Sequence, residues 1–327
     1  MKRTRVCDLL DIKYPIVQAP MLWITWAELA AAVSNAGGLG TVGLNSGATA
    51  PTKDLDVLGE RLRNQIRQVR SLTDKPFAVN ILLPGRGDEL YSDKFVDVIV
   101  EEQVPVAAVA GDNPLLYTER LKKAGVNVLH RPINPTVSAA KEAEEAGADA
   151  VVIVGFDGGG HLGLEMLSTF VLVPQVVDAV KVPVIAGGGV ADARGMMAAF
   201  VLGAEGVYMG TRFIASKECH AHPNFKQAIV DASETSTVTF RFPIAILRCM
   251  KNPSAEKGLE MQAQGVPMVE IERRVFAGKA KTAMIDGDLT NGAGFFSPSA
   301  GLITGVMSAG EVVQSLATEY DAIKARL

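Results

Sequence analysis

The sequence predicts an α/β protein: a (β/α)8 TIM barrel with a small helical insertion after the eighth strand. Three observations carry this. Eight short apolar runs alternate with helical patterns over the first two thirds of the 327 residues. The runs are continuous rather than alternating, as expected of strands buried on both faces. Several helical segments also end in the same Ala-Gly tail, where glycine suits the left-handed residue that stops a helix. Eight such units fit a closed parallel barrel better than an open doubly wound sheet.

The strands are expected at 15–18, 39–43, 77–82, 106–110, 127–130, 150–154, 182–186 and 206–209. The first helix, 25–36, has Thr25 as its cap and stops at Gly37. The second, 53–72, carries Leu55, Leu58, Leu62, Ile66 and Val69 as one stripe at helical spacing. Segments 94–103, 114–124, 135–146, 172–180 and 192–202 follow, and 223–231 reads as a short helix. From 232 to 297 the rhythm changes. Segments 241–247, 254–264 and 268–279 read as helical with no strong strand, and the stretch is too long for a plain loop. The chain therefore divides into a barrel, 1–231 plus 298–327, and a helical insertion, 232–297, over the barrel mouth. Segments 298–308 and 310–325 supply the last barrel helix.

Composition narrows the function. Thirty-two basic against 36 acidic residues give a net charge of −4, which argues against nucleic acid as the main partner. No apolar run approaches the roughly 20 residues of a membrane span. The basic start, Met1 to Arg5, is followed by Asp8 and Asp11 rather than an apolar core, so no secretory signal is expected. Cys7, Cys219 and Cys249 are odd in number and far apart. A disulfide framework and a zinc site are both unexpected, and a reducing cytoplasm fits.

In a barrel, reactive residues lie at the C-terminal ends of strands, and phosphate is usually held after strands seven and eight. Gly187-Gly188-Gly189 follows strand seven and leads through Val190-Ala191-Asp192 into a helix. Gly210-Thr211-Arg212 follows strand eight. Glycine amides can approach an anion closely, a helix N-terminus adds a favourable dipole, and Thr211 can donate a hydroxyl. One glycine turn alone is as well explained as a tight turn; the pair at these two strands points to phosphate.

The loop after strand six runs Gly155-Phe156-Asp157-Gly158-Gly159-Gly160-His161-Leu162-Gly163. A histidine among glycines can approach a flat ligand, and imidazole exchanges protons near neutrality. His130 ends strand five and is expected at most to line the site; His222 before Pro223 reads as a turn cap; His220 is weaker. Two GxGxxG matches are rejected as dinucleotide fingerprints. Gly38–Gly43 follows a helix, and Gly158–Gly163 neither follows its strand directly nor opens a helix.

At these residues the chain resembles the nitronate monooxygenase (2-nitropropane dioxygenase) family. The family's near relatives are FMN-dependent enoyl-ACP reductases and an FMN-dependent NADH:quinone reductase. The likeness runs through Tyr14 to Met21, Asn35 to Gly40, Pro76 to Asn80, Gly158 to Gly163, Val182 to Gly189, Met209 to Phe213, Glu218 and His222-Pro223. It implies FMN and no metal. The phosphate would sit on Gly188, Gly189, Gly210 and Thr211, with Gly159, Gly187 and Met209 in the cofactor set. Ala19, Pro20, Met21 and Leu22 would pass the flavin ring, Asn80 would reach it from strand three, and Arg131, often a lysine in the family, would place a cation beside it. His161 matches the catalytic histidine. Many relatives carry Glu-Ala-Gly-Gly-His where this chain has Asp157-Gly158-Gly159-Gly160-His161.

The implied activity is oxidation of alkyl nitronates, or of nitroalkanes after His161 removes the α-proton, to a carbonyl compound and nitrite. The alternative is NAD(P)H-dependent reduction of an enoyl thioester or quinone, with NAD(P)H as co-substrate. A third reading is a phosphate-binding barrel without catalysis. A small-molecule substrate is expected, with neither nucleic acid nor membrane as partner, and there is room for a homodimer.

Overall fold

The computed structural model describes residues 1, 3–83 and 89–327, the side chains of residues 89 and 90 excepted. Eight parallel strands form the barrel: β1 Ile16–Gln18, β2 Gly40–Val42, β3 Phe77–Leu82, β4 Val106–Ala110, β5 Asn127–Arg131, β6 Ala150–Val154, then β8 Val184–Gly187 and β9 Gly206–Met209. They pair in the order β1-β9-β8-β6-β5-β4-β3-β2. The seam between β1 and β2 is closed by a Val17–Leu39 bridge and by buried Gln18, whose Oε1 accepts from Thr41 N at 2.8 Å.

Strand alternation sorts the side chains. Val17, Ala78, Ala108, Leu129, Val152 and Ile185 fill the barrel interior, while Ile16, Val79, Val109, Val128, Val151 and Ala186 face the helices. The helix Arg5–Leu10 plugs the bottom, adding Val6, Cys7 and Leu10 to the interior cluster. With that end sealed, the interior opens at the C-terminal ends of the strands.

Local signals hold where the sequence placed them. In helix Leu55–Leu72 Asp54 accepts from Asp56 N and Val57 N, and Leu58, Leu62, Ile66 and Val69 are buried. Gly37, Gly125, Gly147 and Gly203 all end their helices with positive φ. His222 caps helix Pro223–Val230, its Nδ1 accepting from Asn224 N at 3.1 Å. The last helix, Ala309–Lys324, begins with a capping box between Ser308 and Glu311 and packs beside helices Ala193–Val201 and Ala27–Asn35, which completes the helical ring.

Several expectations are corrected. Thr25 does not cap the first helix, which begins at Ala27 after Trp26. Its hydroxyl instead accepts from Met21 N at 3.2 Å and pins the loop after β1. Segment 298–308 is not a continuous helix but a 3-10 turn, Pro298–Leu302, followed by extended chain that bridges Met307 to Ser216. The largest correction concerns 241–247. It is not helical; it spans the turn of a hairpin between β10 Thr237–Arg241 and β11 Ile246–Met250. β11 also pairs antiparallel with β7, Gly160–Leu162, so a small sheet β10-β11-β7 stands beside the barrel. Helix Pro253–Ala263, the turn Met268–Ile271, a π-helix Glu272–Phe276 and helix Lys279–Met284 complete the insertion. Phe240, Leu247, Ile271, Val275 and Phe276 form its own core.

Candidate active site

A cleft of about 1230 Å³, mouth included, opens at the C-terminal end of the barrel. Ala19, Pro20, Met21, Leu22, Asn80, Arg131, Gly159, His161, Gly188, Gly189, Gly210 and Thr211 all line it. Gly187 and Met209 do not. The strand period turns Met209 outward among the helix-facing residues, and Gly187 sits behind Val154 and Tyr208, which line the cleft in its place. The same period read along strand eight would have found Tyr208. Leu247, Met284, Phe295, Phe296 and Ser297 also line the cleft and come from the segment 232–297, where nothing in the sequence marked them.

One wall is main chain. Gly188 and Gly189 have φ of +90° and +77°. A Cβ at Gly188 would lie 2.8 Å from Gly155 O, so no larger residue fits without displacing backbone. The N–H groups of Gly188, Gly189 and Gly210 make no hydrogen bond among the described residues. Thr211 Oγ1 accepts from Ser297 N at 3.0 Å, which leaves its proton to donate. Gly159 packs so closely on the returning chain that a Cβ would meet Phe296 C at 2.4 Å. Bare amides plus a hydroxyl donor suit a phosphate group. The helix after strand seven does not share in this cradle. Asp192 caps it, accepting from Arg194 N and Gly195 N, and a carboxylate already occupies its N-terminus.

The floor is held by Asn80 and the loop after β1. Asn80 Nδ2 donates to Ala108 O at 2.9 Å, leaving the amide oxygen beside the cleft. Leu22 has φ +31°, an unfavourable conformation for a branched side chain, and its carbonyl accepts from Asn45 N at 3.2 Å.

His161 and Arg131 complete the polar lining of the cleft. His161 is carried on β7, not in a free loop, with Leu247 of β11 as its ladder partner. Arg131 Nη2 donates to His161 O at 2.7 Å. The imidazole has no hydrogen-bond partner among the described residues, and the residue is exposed and lines the cleft. Desolvation, and then the Arg131 cation, pull its pKa down from 6.5 to about 4, so it is neutral at pH 7. Burial pushes the Tyr208 phenol up and keeps it protonated. His130 points the other way, into the layer between sheet and helices, and does not line the site.

The family model for nitronate monooxygenase matches residues 3–94 and 86–319.

The chain belongs to the nitronate monooxygenase family.

Within that family it is 33% identical to a probable nitronate monooxygenase of Staphylococcus aureus, over 88% of each chain. Among solved structures it resembles FabK from Thermotoga maritima, at 40% identity and a TM-score of 0.89, over 100% of this chain and 98% of that one. It also resembles a nitroalkane oxidase from Streptomyces ansochromogenes, at 25% identity and a TM-score of 0.81, over 99% of both chains. The nitronate monooxygenase family assignment makes this chain an oxidoreductase. No helix among the described residues is long and apolar enough to cross a membrane.

Proposed function

We propose that this chain is an FMN-dependent enzyme that oxidises nitroalkanes and their nitronates with molecular oxygen to a carbonyl compound and nitrite. The observation that carries this is a neutral imidazole, His161, facing a cleft beside the Arg131 guanidinium. A neutral imidazole can take a proton. The α-proton of a nitroalkane leaves behind a charge delocalised onto two nitro oxygens, and a nearby guanidinium stabilises that charge. The cradle of Gly188, Gly189, Gly210 and Thr211 would hold the FMN phosphate, and bound FMN would supply the electron acceptor. The segment 232–297 would cap the substrate, since Leu247, Met284 and Phe295 border the cleft and exclude water from the proton transfer.

A second reading is favoured by a different observation. Leu44, Leu82, Ile133, Leu247, Met284 and Phe295 give the cleft an extensive apolar lining. Such a lining suits the acyl chain of an enoyl thioester, reduced with NAD(P)H as the electron source. The holoenzyme separates the two. Under nitrogen, NADH or NADPH leaves the flavin absorbance unchanged on the first reading, and oxygen uptake begins when a nitronate is added in air. Rapid bleaching by a nicotinamide, without uptake on nitronate, overturns it in favour of the reductase.

A further inference from the structure

His161 owes its position to main chain. Its ring has no partner, and β7 follows Gly158 and Gly159 and begins with Gly160, at φ +72°. Such a segment has little stiffness of its own. It is held from outside by the hairpin β10–β11, which adds the antiparallel ladder Ile246–Leu162, Leu247–His161 and Arg248–Gly160. Two hairpin arginines then fasten the chain on either side of the histidine. Arg248 Nη2 donates to Phe156 O at 3.1 Å, five residues before it, and Arg241 Nη1 donates to Leu164 O at 3.2 Å, three residues after it.

Arg248 is the stronger of the two. Its guanidinium lies over the Phe156 ring at 4.9 Å, and its Nη1 donates to Thr237 Oγ1 at 3.2 Å. Its Nε is buried without a partner, and the Asp157 carboxylate of the strand-six loop attracts the guanidinium. The guanidinium is half-buried, and every hydrogen bond it makes goes to Thr237 or Phe156. Its contacts cross from the insertion to the loop that carries His161.

We propose that Arg248 is a positioning residue for His161: it ties the hairpin to the strand-six loop and so fixes where the imidazole stands over the cleft. This rests on the reading of His161 as the proton-transfer group, but it is testable without turnover. The chain has four histidines, so the His161 ring resonance of the FMN-loaded protein is assigned by its loss in His161→Asn. In Arg248→Met that resonance shifts and broadens while those of the other three stay in place. FMN affinity, read by flavin fluorescence, is weakened less than turnover of a neutral nitroalkane, which falls by up to about 10²-fold, the scale of a misplacement near 1 Å. Arg248→Lys, which keeps one donor, restores part of both and serves if the methionine variant does not fold. An unchanged His161 resonance in the folded variants overturns the inference. Full activity in His161→Asn overturns the functional reading instead, while the resonance still decides the role of Arg248.

Discussion

Arg131 and His161 are joined through the main chain: Arg131 Nη2 holds the His161 carbonyl oxygen at 2.7 Å, and the imidazole stands beside that cation. The contact fixes the backbone of the histidine while leaving its ring nitrogens unengaged. It also puts a permanent positive charge where protonation of His161 would add another.

Removing that charge shifts a titration. A neighbouring cation disfavours imidazolium, so its loss favours it. In Arg131→Met the His161 pKa therefore rises above about 4 but stays below 6.5, because desolvation, the larger cause, remains. The acidic limb of the pH dependence of kcat/KM moves to higher pH, whereas Arg131→Lys, which keeps the charge, moves it less. A pH–rate profile of both variants checks this; an unmoved limb in the methionine variant contradicts it.

His130 sets a second pH dependence, on stability. It is buried, both ring nitrogens lack hydrogen-bond partners, and desolvation lowers its pKa from 6.5 to about 4, against weaker opposing effects of the Gly111 backbone and Asp112. The folded protein binds this proton less readily than the unfolded chain. Its contribution is therefore complete above pH 6.5 and is lost as the pH falls from 6.5 towards 4, by on the order of 3 kcal/mol for a shift of this size. Urea unfolding at pH 7 and pH 4.5 shows a smaller loss in His130→Leu than in the parent.

The phosphate cradle and the neighbouring helix end respond differently. Gly188→Ala forces a Cβ against Gly155 O at φ +90°, and FMN affinity falls by about tenfold or more, a strain of 1–3 kcal/mol expressed in binding. Asp192→Ala removes the cap of helix Ala193–Val201, costs about 1 kcal/mol of stability, and leaves FMN affinity unchanged. Fluorescence titration with thermal unfolding separates the two; loss of FMN in Asp192→Ala would put the phosphate on that helix after all.

The barrel was legible because its signals are local. Most strands are short apolar runs, and four helix tails carry their own glycine, Gly37, Gly125, Gly147 and Gly203. The glycine turns and His161 stood out because their residue types are unusual at strand ends. The hairpin was missed for a non-local reason. Thr237, Val238, Thr239 and Phe240 have strand-like side chains, but Phe242, Pro243, Ile244 and Ala245 between the two halves obscure the turn. β7, with its Gly-His-Leu sequence, has little strand propensity and is a strand because β11 supplies a ladder more than 80 residues later. The cleft residues Met284, Phe295 and Phe296 are likewise placed by the return of the insertion rather than by any pattern of their own.

The most direct measurement compares a nitroalkane with its preformed nitronate on the FMN-loaded His161→Asn protein. Oxygen uptake with the neutral compound falls by about 10²-fold or more, the scale of general base catalysis, while uptake with the nitronate stays near the parental rate. An equal loss on both compounds, or no loss on either, would contradict this role of His161.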